Sequence, residues 1–498
     1  MLGLGFSLLS IFLLIFMLYK KVNAHMALLL SGFFLLGITT IVSFLIYTFP
    51  ESNIQINYPQ IYTYLQSIDF YKLGHPILEK GSLNLGFFNI FEVFNQTLSS
   101  TLAGLGLTLM CIAGFSVYMD HVGASYALFK VFEKPLKMVK SPYILLILAY
   151  FISQFLVLFI PSHAGLALLL MVTMYPILVR TGVSKLSALS VIAICQYIDH
   201  GPGSGNVIMA SNVAKIDPAF YFVHYQLPTT LPIIIAVGIS IYLCNYFFDK
   251  KEHFVYNSKK VEEELNENKA KEVKKPPRIY ALLPIIPLIL ILGFSSVIDS
   301  ILALFQIHYQ SNIKINVPVA MMISTFIAII FEMIRYKSVI ETLNSIMIFF
   351  KGMGHLFVIT VSLIVCGQIF ANGLLSVGFV DTLIEILKNA GFGVLAIIIA
   401  VSILLAFCAF LMGSGNAAFF SFAPLIPNIA KHFGVETISM IAPIQIMTGF
   451  GRCVSPIAPA ILAISAMTKV SPFAVVKRTA IPMLVASIVN IIMTYIYL

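Results

Sequence analysis

The chain has 498 residues and a formal net charge of +9, with 59% of residues hydrophobic and only 10% charged. A soluble fold covers its surface with about a quarter of its residues charged, so this composition excludes an ordinary soluble protein and requires an outer surface that faces lipid. The ten-residue alternating segments of an outer-membrane barrel are absent, which leaves an all-α polytopic membrane protein, since helices satisfy every backbone group internally.

Crossing a hydrocarbon core about 30 Å thick takes about 20 apolar residues at helical rise. In the first half the apolar runs predict spans over residues 3–19, 26–48, 103–119, 142–180 (interrupted), 187–212 (interrupted) and 229–248. No basic stretch precedes the first run and no small-residue cleavage site follows it, so it is read as a span and not as a signal peptide. Residues 50–85, rich in Tyr, Asn and Ser, are expected to form the one sizeable outside loop. The segment 249–278 carries nine basic and seven acidic residues and cannot bury enough apolar area to fold alone, so it reads as a linker. Spans are then predicted over 279–297, 316–334, 353–372, 393–430 (interrupted), 437–467 (interrupted) and 479–497. Amphipathic stretches at 124–139 and 377–389 suit interfacial helices.

The division is therefore a first membrane half (1–248), a charged cytoplasmic linker (249–278) and a second membrane half (279–498). An offset of 252 residues aligns Ser162 with Ser414, Gly182 with Gly434, Val183 with Val435 and Ser187 with Ser439. If the interrupted pairs near 161 and 412 are re-entrant, each half crosses five times; if they cross fully, seven. Both numbers are odd, so the halves form two inverted-topology repeats, each with broken transmembrane helices. With the linker in the cytoplasm, only Lys72, Lys80, Lys215, Lys314, Lys388 and Lys431 of the 30 Lys and Arg fall outside, and Arg452 lies within the membrane. That bias fits the positive-inside rule. Paired broken helices in inverted repeats point to alternating-access transport.

Four interruptions carry the chemistry: 161–165, 199–206, 413–416 and 448–456. An unwound turn in hydrocarbon costs several kcal/mol per exposed backbone group, so it is tolerated only where it lines a protein cavity. Helix N-termini there offer N–H donors to an anion, and unwound carbonyls can hold Na⁺. Gly-Ser-Gly-Asn occurs twice, at 203–206 and 413–416; small residues also serve plain helix packing, but two copies at breaks in different halves favour a binding site. Candidate substrate-binding residues are Ser162, His163, His200, Ser204, Gly205, Asn206, Ser414, Gly415, Asn416, Gly451, Arg452 and Ser455. Candidate ion-coupling residues are Asp199, Asn206 and Asn416. Arg452 is read as a two-pronged holder of a carboxylate, the bland alternative being a guanidinium satisfied by backbone carbonyls. At the 252 offset its counterpart is His200, so each half offers one donor, which suits an anion with two carboxylates.

No P-loop is present, so an ion gradient or exchange must supply the energy. No metal site or cofactor is expected, because the six cysteines lie in apolar runs without metal-ligand spacing and read as buried thiols; a coupling Na⁺ or H⁺ is the one ion implied. Basic residues are scattered through short loops, so nucleic acid is not a partner. The rival from another class is an intramembrane hydrolase, with Ser204 or Ser414 as nucleophile and His163 or His200 as base. A channel is the third reading, but neither a ring of like charges nor a carbonyl filter is apparent.

The stretches Gly413-Ser-Gly-Asn-Ala-Ala-Phe-Phe, Gly451-Arg-Cys-Val-Ser-Pro456 and Ser471-Pro-Phe-Ala-Val-Val-Lys-Arg-Thr479 with Pro482 resemble the anaerobic C4-dicarboxylate carrier family DcuC. So do Lys140-Ser-Pro-Tyr143 and Gly165-Leu166. The likeness runs from about Gly104 onward and is strongest in the last hundred residues. It implies an ion-transporter-superfamily carrier of succinate and fumarate, in efflux, uptake or exchange, across the bacterial inner membrane. It also implies substrate and ion contacts at Ser162, Ser414, Asn416, 204–206 and 451–455. Asn206, where the family often has an acidic residue, and the Asp199-His200 pair depart from that pattern. The runner-up is a related ion-coupled carrier of an amino acid or short peptide. The expected assembly is a homodimer.

Overall fold

The computed structural model describes residues 2–20, 22–48, 83–267, 276–294, 315–379, 382 and 393–497. Residues 50–82 of the expected outside loop at 50–85, the middle of the linker and most of the stretch at 377–389 lie outside the described residues, while 83–85 are helical.

All regular elements among the described residues are helical. The α-helices in chain order are α1 (Leu2–Tyr19), α2 (Ala24–Thr48), α3 (Leu83–Thr101), α4 (Leu107–Val122), α5 (Ala124–Met138), α6 (Pro142–Val157), α7 (His163–Thr173) and α8 (Tyr175–Arg180). Then follow α9 (Lys185–Ala193), α10 (Gly205–Ala214), α11 (Pro218–Tyr221), α12 (Leu227–Lys251), α13 (Ser258–Glu267), α14 (Ile286–Gly293), α15 (Val317–Tyr336), α16 (Val339–Asn344) and α17 (Ile346–Leu356). The last are α18 (Ser362–Ser376), α19 (Val394–Met412), α20 (Gly415–Phe422), α21 (Ile426–Phe433), α22 (Thr437–Cys453), α23 (Pro459–Thr468) and α24 (Pro472–Tyr497). Eight helical stretches among the described residues are long and apolar enough to cross a membrane, as a multi-pass protein requires. Two of the eight, His163–Arg180 and Val394–Met412, come from the interrupted runs, whose breaks leave shorter helices beside them.

Two compact units emerge, and each takes residues from both sides of the charged segment. The first comprises 1–107, 357–397 and 420–437. Its α2 lies against α18 at close range, since a Cβ on Gly32 would sit 2.8 Å from the Phe370 amide nitrogen and one on Gly373 2.9 Å from Leu35 Cβ. Lipid tails are as apolar as leucine, so this association rests on dispersion contacts at the small residues and not on the hydrophobic effect. Leu36, Ile90, Val93 and Ile369 fill the seam, and Thr39 Oγ1 meets Ser376 Oγ at 2.8 Å.

The second unit comprises 108–356, 398–419 and 438–498. Here α12 runs along α24 and α6, α9 packs on α24, and α7 packs on α23. The far side of α12 shows Leu231, Ile235 and Ile239, each more than half exposed, a one-face spacing of four that suits lipid. The charged segment is not wholly a solvated linker: α12 continues through Asp249, which is buried, and α13 docks on α8 through Arg180 and Glu262.

Local geometry recurs in both sequence halves. Ser162 Oγ accepts from Gly165 N at the start of α7, and Ser414 Oγ accepts from Ala417 N at the start of α20, both at 3.2 Å. Such N-caps satisfy donors that no intrahelical carbonyl reaches. After α8 and α21 the chain turns through Gly182 and Gly434, both at positive φ, and Val183 N and Val435 N each bond back five residues at 3.1 Å. α10 and α23 both end on a lysine in the left-handed region, Lys215 and Lys469, followed by Ile216 N to Ser211 O and Val470 N to Ser465 O, the helix-terminating pattern that closes orphan carbonyls.

Candidate functional site

The broken segment between α9 and α10, residues 194–204, runs through the buried interior of the second unit. Short turns pair Cys195 N with Ile192 O, Tyr197 N with Ile194 O and Ser204 N with Gly201 O, and side chains from other elements supply partners for backbone groups beyond those turns. Gln154 on α6 donates to Cys195 O at 3.1 Å and to Ile194 O at 3.4 Å. Gln226 and Gln445 both donate to Asp199 O, at 2.9 and 2.8 Å, while Gln226 Oε1 accepts from Gly201 N at 3.2 Å. Tyr221 Oη donates to Gln445 Oε1 at 2.8 Å, fixing that amide's orientation. Tyr197 is anchored by a 2.7 Å hydroxyl pair with Tyr150.

Arg452 meets this segment from the last turn of α22. Its Nη2 donates to Gln196 O and lies 2.9 Å from Asp199 Oδ2, and its Nη1 donates to Asn416 Oδ1 at 3.1 Å. Asp199 is further held by Gln196 Nε2 on Oδ1 at 2.5 Å and by Asn206 Nδ2 on Oδ2 at 2.7 Å. Arginine and aspartate are both almost fully buried. The arginine's Nε, Gln196 Oε1 and Asn206 Oδ1 have no hydrogen-bond partner among the described residues, although a buried polar atom normally has one.

Close backbone approach makes this geometry available. A Cβ on Gly415 would sit 2.7 Å from Thr448 O, one on Gly449 would collide with Tyr197 O, and one on Gly451 with Ala406 O. The second-half break begins later than the sequence suggests: α22 remains helical through Cys453, and the unwound stretch is 454–458. Gly451 and Arg452 therefore sit in a helix terminus and not on open chain. Pro456 explains the shift, since it lacks an N–H and disfavours helix at Ser455, and Pro459 starts α23. Likewise Gly205 and Asn206 belong to the first turn of α10.

The structure thus brings Arg452, Asp199, Asn206 and Asn416 together. Ser162 and Ser414 serve as helix caps, with Gly415 in the first turn after the second of them. Ser204 occupies the N-cap position of α10 without a side-chain cap bond, and Ser455 Oγ donates to Phe410 O at 2.6 Å. His200 faces Gln154 O and Ile198 O at 3.0 and 3.2 Å, and His163 Nε2 faces Ala193 O at 3.0 Å. Both imidazoles are engaged by backbone carbonyls, an arrangement unlike the serine–histidine contact a hydrolase needs. Sequence reasoning missed Gln154, Gln196, Gln226 and Gln445; for Gln154 and Gln445 the signal was a lone amide in an apolar run, weaker than a charge yet costly to bury unpaired.

A family model for C4-dicarboxylate anaerobic carriers, DcuC, matches residues 2–498. The anaerobic C4-dicarboxylate transporter DcuC of Escherichia coli K12 is 31% identical over 428 residues, covering 85% of this chain and 87% of that one. The probable anaerobic C4-dicarboxylate transporter DcuC of Vibrio cholerae is 32% identical over 426 residues, covering 85% and 88%. A solved structure of Neisseria gonorrhoeae MtrF, from a class of antimetabolite efflux pumps, overlays with a TM-score of 0.45 at 14% identity over 82% of this chain and 84% of that one.

Proposed function

The chain belongs to the DcuC family of anaerobic C4-dicarboxylate carriers, and from that membership we propose that it moves succinate and fumarate across the bacterial inner membrane, in efflux, uptake or exchange, by alternating access. The observation that carries the reading is the family match over residues 2–498. It is a multi-pass membrane transporter of a family of carriers and not of enzymes.

Within this reading, residues 1–248 and 279–498 are two inverted repeats around the segment 249–278, with re-entrant hairpins whose tips are 161–165 and 413–416. The recurring serine caps, glycine turns and left-handed lysines support the repeat. Arg452 binds one substrate carboxylate, because a guanidinium is the side chain whose fork matches that group. His200, the capping serines Ser162 and Ser414, and the helix starts at Gly205–Asn206 and Gly415–Asn416 offer the remaining donors, with His163, Ser204, Gly451 and Ser455 around them. Asp199, Asn206 and Asn416 take part in coupling to H⁺ or Na⁺. A homodimer is the proposed assembly.

Counterflow of radiolabelled succinate in proteoliposomes, with unlabelled competitors and with or without Na⁺, tests the function. Arg452→Lys keeps the charge and loses the fork, so succinate affinity is expected to fall about tenfold or more, in line with a lost charged hydrogen bond of about 1.5–3 kcal/mol. Unchanged affinity in that variant removes Arg452 from the substrate site, and saturable counterflow of amino acids or short peptides in place of succinate overturns the substrate class.

A further inference from the structure

Asp199 meets Arg452 in a way that leaves the guanidinium half used. One carboxylate oxygen, Oδ2, faces Nη2 at 2.9 Å, while the other is taken by Gln196. The pair is therefore single-pronged, and the neighbouring Nε donor is buried without a partner. A carboxylate entering along that face makes two parallel bonds where Asp199 makes one, and the two-pronged geometry is the stronger.

We propose that Asp199 is a resident carboxylate: it holds Arg452 while no substrate is bound, yields the guanidinium to a substrate carboxylate, and takes a proton from water as it leaves. This rests on the reading of Arg452 as the residue that binds substrate. The hydrogen bond between Arg452 and Asp199 breaks, that between Arg452 and substrate forms, and one proton moves from solvent to an Asp199 oxygen.

Two observations require the proton. Asp199 is 4% exposed, and a buried carboxylate without its counter-charge costs several kcal/mol. The acid form needs an acceptor for its O–H, and the structure holds two: Gln196 Oε1 and Asn206 Oδ1 are unpartnered, on the same amides that now donate to Asp199. A half-turn of either amide converts a donor to the carboxylate into an acceptor from the acid. The titratable groups around the pair are accounted for: Cys453 adjoins Arg452 on α22, Cys195 and His200 lie on the same broken segment, and His163 comes from α7. Both histidines are engaged by backbone carbonyls.

The arrangement also explains how an empty carrier resets. With Asp199 on Arg452 the site is neutral, whereas an unpaired buried guanidinium would oppose reorientation.

The test uses the full-length protein, wild type beside Asp199→Asn and Asp199→Glu. Removing a competitor tightens binding, so Asp199→Asn is expected to bind succinate about tenfold more tightly, with net efflux into succinate-free medium lost and exchange reduced but measurable. Asp199→Glu restores net efflux. Wild type is expected to take up about one proton per succinate bound in weakly buffered detergent solution, independent of Na⁺, and Asp199→Asn none. Weaker succinate binding in Asp199→Asn, the mark of a merely structural residue, overturns the proposal. So does succinate binding by wild type without proton uptake, a measurement that stands even if Asp199→Asn does not fold. Wild type that shows no succinate binding or counterflow overturns the carrier reading instead.

Discussion

Arg478 Nη1 lies 2.6 Å from Asp249 Oδ1, with the two side chains 1% and 3% exposed. Ser184 and Ser187 donate to the two oxygens of the same carboxylate at 2.7 and 2.9 Å, and the arginine's second nitrogen reaches Glu252. This cluster ties the start of α24 to the end of α12 and to the start of α9, the helix that leads into the broken segment carrying Asp199. Breaking a buried pair by deleting one partner leaves an uncompensated charge worth about 3–5 kcal/mol. Arg478→Ala is therefore expected to lower the melting temperature of the detergent-purified protein sharply. The double variant Arg478→Met with Asp249→Leu should recover most of the loss, since an apolar replacement of both partners is often neutral. A single-variant effect below about 1 kcal/mol, the size of an exposed pair, would contradict the buried-clamp account.

Gly449 sits where a Cβ would run into the carbonyl oxygen of Tyr197. Helix propensity alone favours alanine there by about 1 kcal/mol. Overpacking costs about 1–3 kcal/mol, and the obstructing atom is backbone of the broken segment, which cannot swing aside as a side chain would. Gly449→Ala is expected to be destabilising and to weaken succinate binding, because it pushes α22 and Arg452 away from residues 196–199. Gly354, inside α17 with nothing within 4 Å of its Cβ position, is the control: Gly354→Ala should be neutral or slightly stabilising in the same melting assay.

The breaks were legible in the sequence because glycine, serine, asparagine and proline interrupt apolar runs that otherwise have no reason to stop. Arg452 was legible because a lone charge in such a run must be offset. What offsets it was not: Asp199 lies 253 positions away, and nothing in a one-dimensional pattern distinguishes a partner from a neighbour. The same limit hid Gln154, Gln226 and Gln445, which bond to a backbone whose path is set only once the helices pack. It also displaced the end of α22, where glycines that read as helix breakers are instead points of close approach. Arg478 was visible only as part of a resembling motif, since a basic residue near a predicted span end is ordinarily solvated.

Gln445 links Tyr221, Gln226 and Asp199 O in one chain of hydrogen bonds. Gln445→Leu removes the acceptor of the buried Tyr221 hydroxyl, and an unsatisfied buried group costs about 1–3 kcal/mol. Asp199 O keeps its bond from Gln226, so the broken segment is expected to loosen and not collapse. Adding Tyr221→Phe should return part of the lost stability, because the orphaned hydroxyl is then gone. If the double variant is as unstable as the single, the cost lies in the backbone contact instead, and thermal melts of the two proteins decide between them.

Arg180 and Glu262 form a two-pronged pair at 2.7 and 3.1 Å that fastens α13 to the end of α8, with Tyr256 Oη adding a bond to Arg180 O at 2.9 Å. Hydrogen bonding from the guanidinium holds the Glu262 carboxyl below its usual range. A depressed carboxylate contributes stability that is fully present above its unfolded pKa, about 4.3, and is lost as pH falls through the lower docked value. The pair is exposed and screened by salt, so the readout must be local. Amide hydrogen-exchange protection of residues 258–267 is expected to stay level from about pH 8 to about pH 5 and to fall below about pH 4, with the step shrinking at high salt. Glu262→Gln should show weaker protection at neutral pH and no step. A step that persists in Glu262→Gln would assign the docking to another carboxylate of the acidic run on α13.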